Sequence, residues 1–140
     1  MVFRSKPSLD QLNKMGTNNM VQFIGIEFTE IGDDFIEATM PVDHRTKQPM
    51  GLLHGGANVV LAETLGSIAG TLTLDLEKQI CVGLEINANH LKSAKEGLVT
   101  GRVSPIHVGK STQVWEIKIY NAAKDLCCIS RITLAILDRK

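Results

Sequence analysis

Hydrophobic positions change their period several times along the chain, and each change marks an element. A short helix is expected at Leu9–Met15, with Ser8 as its N-cap and Gly16 as its stop. Residues 21–30 and 35–41 then read as strands, joined by Ile31-Gly32-Asp33-Asp34, a hairpin-turn composition. Residues 45–51 read as a loop, because Pro49 and Gly51 resist regular structure. From about residue 54 to 73 the spacing becomes helical: Val60, Leu61, Leu65, Ile68 and Leu72 recur, with Gly55, Gly56, Ala57, Ala62, Gly66, Ala69 and Gly70 between them. Glycine costs roughly 1 kcal/mol against alanine in an exposed helix interior. Several in one helix imply that something packs very close to its backbone and that the helix is buried on most sides.

Strand periodicity then returns. Residues 81–91, 98–108, 112–121 and 126–137 are strand candidates, separated by Lys95-Glu96-Gly97, Gly109-Lys110 and residues 122–125. Trp115, Ile117 and Ile119 alternate with Glu116 and Lys118, as on a half-buried strand. Pro105 implies an edge position or a bulge. Four successive strands with short connections predict an antiparallel meander. An eighteen-residue helix spans roughly 27 Å and a ten-residue strand about 33 Å. The lengths therefore suit an α+β fold, one long helix wrapped by a curved antiparallel sheet, in a single domain over 1–140.

Composition adds exclusions. Fifteen Lys and Arg balance fifteen Asp and Glu, so no overall field gathers DNA, RNA or an anionic membrane. The N-terminus lacks the apolar region of a signal peptide. The longest stretch nearly free of charge, 48–74, is interrupted by glycines, His54, Asn58 and Glu63 and is no membrane span. Three cysteines, two of them adjacent at Cys127 and Cys128, suggest neither a disulfide framework nor a metal site. The expected setting is a reducing cytoplasm, with no nucleic acid or membrane as partner and no metal or cofactor.

Candidate chemistry concentrates between Gln48 and Ser67, in QPMGLLHGGANVVLAETLGS. Glu63 is the sole formal charge between Lys47 and Asp75, in a helix suited to burial. An unpartnered buried carboxylate is costly, and desolvation raises its pKa. Pairing with a distant Arg or Lys is the bland reading. Solvent exposure is disfavoured, because Ala62, Leu65 and Gly66 offer no polar face. Catalysis is the stronger reading.

His54-Gly55-Gly56 stands at the helix start, where backbone N–H groups lack intrahelical partners and the dipole is positive. Glycine lets a ligand approach that backbone, which suits an oxyanion forming on a thioester carbonyl; a plain glycine-rich helix entry is the alternative. Gln48 has an amide N–H for the same oxygen. Ser67 lies one turn after Glu63 on the same face, where it holds a water, orients the carboxylate or simply packs. A thiol of pKa about 8.5 departs as thiolate without a strong acid, so a carboxylate and a polarised carbonyl suffice to cleave a thioester. Glu63 either attacks the carbonyl, giving a mixed anhydride, or deprotonates the attacking water. Both routes stay open. Cys127 and Cys128 point to opposite faces of an apolar strand and fill core. The four histidines lack metal-ligand spacing, and there is neither a Gly-x-Ser-x-Gly elbow nor a glycine-rich phosphate loop.

With Gln48, His54-Gly55-Gly56, Glu63 and Ser67 in this order, the chain resembles the hotdog-fold thioesterases of the 4-hydroxybenzoyl-CoA thioesterase type. The likeness covers nearly the whole chain. Residues 40–43 (MPVD), 45–49 (RTKQP), 83–90 (GLEINANH) and 113–115 (QVW) look like the bacterial branch that holds 1,4-dihydroxy-2-naphthoyl-CoA thioesterase and the proofreading thioesterase of enterobactin synthesis. The resemblance implies that Glu63 is nucleophile or general base, that Gly55 N–H and Gln48 polarise the thioester, and that His54 and Ser67 assist. It also implies coenzyme A contacts from Gly83, from His90, Leu91, Lys92 and Ser93, and from the turn His107, Val108, Gly109, Lys110, Ser111 and Thr112. Lys92 and Lys110 supply charge for phosphates, and backbone N–H groups near Gly109 can approach one; ordinary strand-end lysines are the alternative.

The expected substrate is an acyl-CoA, aromatic by the resemblance, with an aryl-carrier protein as a further candidate partner. Two other classes compete: an enoyl-thioester hydratase on the same fold, and a catalytically silent acyl-CoA-binding module. Gly55 and Glu63 are separated by roughly 12 Å along one helix, whereas reacting groups must approach to about 3–3.5 Å. This gap predicts an obligate homodimer, or a tetramer built from two such dimers, with Gln48 and Gly55 of one chain facing Glu63 of the other.

Overall fold

The computed structural model describes residues 1–140. In chain order the elements are α1 (Leu9–Met15), α2 (Met20–Phe23), β1 (Glu27–Ile31), β2 (Ile36–Pro41), α3 (Gly55–Leu72), β3 (Gln79–His90), β4 (Leu98–Val108), β5 (Thr112–Tyr120) and β6 (Leu126–Asp138). The helix α1 begins on a capping box: Ser8 Oγ accepts from Gln11 N–H, and Gln11 Oε1 accepts from Ser8 N–H. Six strands form one antiparallel sheet in the order β1-β2-β4-β5-β6-β3. This is the α+β architecture expected.

Three expectations need correction. The strand expected over 21–30 starts only at Glu27, and Val21 lies in α2. Asn19 caps that turn by accepting from Val21 N–H, and Gly25 at φ 80° then turns the chain into the strand. A short apolar run has no period that separates helix from strand. The second correction concerns the meander. Only β4-β5-β6 is one; β3 pairs with β6 at the far edge, and β4 returns beside β2. The returning segment is anchored by Leu53 N–H to Ala94 O and by Val42 N–H to Gly97 O, at 2.8 and 2.9 Å. Those bonds lie across the fold and leave no trace in local spacing.

Pro105 sits at a bulge in β4, where the register with β5 slips between Pro105 and His107. Trp115, Ile117 and Ile119 of β5 are fully buried, with Ile132 and Leu134 of β6 beside them. The helix α3 lies on this face, and the sheet approaches its backbone closely. A methyl added at Gly66 would stand 2.5 Å from Cγ2 of Ile132. At the far end of α3, Leu72 O accepts from Arg4 and Ser5 N–H, and Gln113 joins Thr73 Oγ1 to the Trp115 indole N–H. The helix is not buried on most sides within one chain, however. Leu61, Ala62, Leu65, Gly66, Ala69 and Gly70 are covered by the sheet, while Glu63 is exposed. No helix is long and apolar enough to cross a membrane.

Candidate active site

Local hydrogen bonds hold the loop ahead of α3 and so give Gln48 a defined position. The buried Thr46 hydroxyl donates to Pro41 O and accepts from Asp43 N–H. The Asp43 carboxylate accepts from Arg45 N–H at 2.9 Å and pairs with the Arg45 guanidinium at 2.8 Å. Hydrogen bonds from that guanidinium hold the Asp43 carboxyl down to about 2. Arg45 also donates to Phe23 O at the end of α2. Next, Lys47 and Leu53 face each other in an isolated antiparallel bridge, and Gly51 turns the chain between them at φ 83°. Gln48 Oε1 accepts from Met50 N–H inside this turn, which leaves the amide NH2 as a donor.

The first turn of α3 is answered with one exception. His54 Nδ1 accepts from Gly56 N–H at 2.8 Å, and His54 O accepts from Ala57 and Asn58 N–H. An accepting Nδ1 makes Nε2 the ring's N–H. Gly55 N–H has no partner in the chain. It belongs to a cavity of about 340 Å³ whose wall also includes Gln48, Asn58 and the segment His90, Leu91, Lys92, Ser93. A Cβ at position 55 would lie 2.9 Å from His90 Nε2, so a side chain there would push the imidazole aside. Lys92 pairs with Asp125 at 3.5 Å, both partly exposed.

Glu63 lies elsewhere. Its carboxylate has neither a hydrogen bond nor an ion pair, and Oε1 would stand 3.2 Å from a Cβ at Gly83 of β3. The expectation that Glu63 is buried within its own chain is therefore overturned. The sheet covers mainly the other side of α3, and Glu63 emerges exposed at its β3 edge, over Gly83. A bulge between Gly83 and Glu85 changes which residues of β3 face the helix. Cys81 and Gly83 face it before the bulge, and Ile86, Ala88 and His90 after it. Ser67 is half-buried one turn along, near Cys81, whose thiol lies 3.9 Å from Ser67 O.

One chain thus brings together Gln48, Gly55 and residues 90–93, places His54 in a neighbouring pocket with Gly56, Ala57 and Val60, and holds Glu63, Ser67 and Gly83 apart from the cavity. Gly83 and His90 are roughly 20 Å apart along β3. The turn between β4 and β5, His107, Val108, Gly109, Lys110, Ser111 and Thr112, lies at the Gly83 end, because Val82 and Thr112 both face Ala135 of β6. In that turn Gly109 N–H donates to Thr112 O and the His107 ring lies against Gly109, leaving Lys110 as the exposed, unpaired charge. Cys127 and Cys128 are fully buried. Burial pushes the Cys127 thiol up, and the Cys128 thiol up to about 11. Neither supplies a thiolate. The residue that sequence reasoning missed is Asn58, buried at the cavity wall. Its only signal was a polar side chain one turn after Gly55 on an otherwise apolar helix.

The site can now be set beside known proteins. A family model described as thioesterase superfamily matches residues 50–128, from the loop ahead of α3 through the start of β6. A 1,4-dihydroxy-2-naphthoyl-CoA hydrolase from Escherichia coli K12 is 58% identical, over 98% of this chain and 100% of its own. The proofreading thioesterase EntH of Cronobacter turicensis is 47% identical, over 98% and 99%. A crystal structure of a thioesterase from Haemophilus influenzae superposes with a TM-score of 0.95 at 50% identity, over 99% of this chain and 96% of that one. The chain belongs to the thioesterase superfamily, as a thioester hydrolase with the hotdog fold.

Proposed function

We propose that this protein hydrolyses an aromatic acyl-CoA at a site shared between two copies of the chain. The thioester oxygen accepts hydrogen bonds from Gly55 N–H and the Gln48 amide at the cavity of one subunit, while the partner subunit's Glu63 reaches the carbonyl carbon. The observation that carries this reading is the separation described above. Gly55 N–H stands unanswered at one end of α3, and the Glu63 carboxylate stands unpaired and exposed at its β3 edge, roughly 12 Å along the axis. No side-chain rotation closes that gap to about 3–3.5 Å. A second α3, antiparallel to the first, brings its Glu63 to this N-terminus. The edge of β3 supports a second copy too: it is twelve residues long, pairs only with β6, and carries Val82 and Leu84 exposed. An unpaired edge of that length is a site for another strand.

Within that site Glu63 either attacks the thioester carbonyl or takes a proton from water, and Gly55 and Gln48 stabilise the oxyanion in both routes. Ser67 orients the carboxylate. Lys92 and Lys110 attract the coenzyme A phosphates. The relatives named for 1,4-dihydroxy-2-naphthoyl-CoA hydrolysis and for proofreading support an aromatic acyl group, on coenzyme A or on a carrier protein.

Subunit mixing tests this. Glu63→Ala and Gln48→Ala, each nearly inactive alone, are refolded together in equal amounts. Half the dimers are then mixed, and each mixed dimer holds one intact and one doubly damaged site. About a quarter of wild-type activity returns. No recovery despite confirmed subunit exchange would mean that each chain builds its own site.

A further inference from the structure

His90 is the one imidazole of the cavity wall, and the chain gives its ring nothing to bond. It ends β3, exposed, with its backbone opposite Cys128 of β6. The ring makes no hydrogen bond or ion pair within the chain, yet Nε2 would stand 2.9 Å from a Cβ at Gly55, and Cε1 3.1 Å. A half-turn of the ring exchanges those two atoms, so a ring nitrogen meets Gly55 in either orientation. By covalent geometry that Cβ lies about 2.5 Å from the Gly55 nitrogen, which sets Nε2 and the unanswered Gly55 N–H no more than about 5.4 Å apart. His54, the other imidazole near the start of α3, has Nδ1 taken by Gly56 N–H and lines the neighbouring pocket.

We infer that His90 is a further catalytic residue, donating a hydrogen bond from Nε2 to the thioester sulfur as the C–S bond breaks. The inference rests on the reading above, in which Gly55 N–H and the Gln48 amide hold the carbonyl oxygen. A carbonyl oxygen has two lone pairs, and those two donors occupy both. The sulfur is bonded to the same carbon and so falls within the same small space, where the next donor on the wall is His90. Beyond His90 the wall continues through Leu91, Lys92 and Ser93, and the exposed Lys92 offers charge to the phosphorylated tail of the thiol. When the tetrahedral intermediate collapses, the C–S electron pair goes to sulfur and the proton stays on the ring. A thiolate leaves without a strong acid, but an N–H aimed at the charged sulfur stabilises it as it forms. Neutral imidazole has one N–H, and with neither nitrogen paired in the chain it is free to sit on Nε2.

Benzoyl thioesters that differ only in the thiol test this: those of coenzyme A, of N-acetylcysteamine and of 4-nitrothiophenol, whose weakly basic thiolate leaves unaided. Wild type, His90→Ala and His90→Phe are compared, with urea unfolding as the check on folding. His90→Ala lowers kcat/KM for the coenzyme A and N-acetylcysteamine thioesters by about tenfold or more, carried by kcat, and for the nitrothiophenyl thioester by less than about twofold. His90→Phe, which keeps a ring against Gly55 without the N–H, gives the same pattern. Equal losses on all three substrates would assign the donor to the carbonyl oxygen. A loss confined to the coenzyme A thioester and carried by KM would leave His90 a binding contact. Full activity in His90→Phe would make the ring a packing group. Each of these overturns the proposal. Gln48→Ala separates the inference from the reading beneath it, because it lowers turnover of all three thioesters alike. No loss in that variant would defeat the oxyanion reading, while the dependence on the thiol still decides the role of His90. Should benzoyl thioesters go unhydrolysed, the aromatic reading fails, and the same thiols on hexanoic acid carry the comparison.

Discussion

The cavity at the N-terminus of α3 and the open face around Glu63 differ in how much of their surroundings the chain itself supplies. At the cavity, Thr46, Asp43 and Arg45 tie down the loop, Met50 N–H orients Gln48, and His54 occupies Gly56 N–H. Gly55 N–H is left as the single unanswered donor of that turn. Around Glu63 the chain supplies a carboxylate without a partner, a glycine beneath it and an unpaired strand edge alongside. The first region is held together by the chain's own hydrogen bonds. The second is an open surface that a neighbour completes in the dimer proposed above. Stability and chemistry are therefore divided between them, and substitutions should separate the two.

The largest expected effect is at the open face. Glu63→Gln lowers turnover on benzoyl-CoA by about 10³-fold or more. Because the side chain is exposed and unpaired in its own chain, unfolding free energy shifts by no more than about 0.5 kcal/mol. Turnover and urea unfolding measured on one preparation give both numbers. A folded variant with near-normal turnover would remove Glu63 from the chemistry.

At the cavity the balance reverses toward stability. His54→Ala removes the side-chain acceptor of Gly56 N–H and costs about 1 kcal/mol, read from the urea midpoint. His54→Asn keeps a capping acceptor and recovers most of that loss. Equal stability of the alanine and asparagine variants would mean that the cap contributes nothing.

The smallest effect tests the loop under Gln48. Arg45 holds the Asp43 carboxyl at about 2, below its ordinary 3.8, so the ionised form is favoured by folding. That contribution is complete above about pH 4 and is lost as pH falls toward 2. The stability advantage of wild type over Asp43→Asn is therefore flat near neutrality and vanishes in strong acid. An advantage undiminished at pH 2 would rule out the ion pair as its source.

Much of this was legible from one-dimensional pattern. Ser8 as cap and Gly16 as stop place α1 to the residue, and the run from Gly55 to Leu72 reads as a helix because its apolar side chains keep one period. The small residues of α3 announce the close approach of the sheet, seen at Gly66 against Ile132. Pro105 announces its bulge. The motif that led to Gln48, Gly55 and Glu63 lies within twenty consecutive residues. The turn at Met20–Phe23 was hidden because four residues carry no period, and Asn58 was hidden because a lone polar residue on a helix has many ordinary explanations.

The sequence by itself determined the elements other than α2, their approximate ends and the donors and carboxylate available for chemistry. These depend on side-chain periodicity, backbone capping and turn preference, all of which act over a few residues. Only the tertiary structure decided that β3 lies at the far edge beside β6, that Glu63 emerges exposed at the β3 edge of α3, and that Asn58 Oδ1 is buried without a partner. The reason is that burial and strand pairing are set by contacts between segments far apart in the chain. Local spacing can name a side chain and its face, but what covers that face is decided by packing.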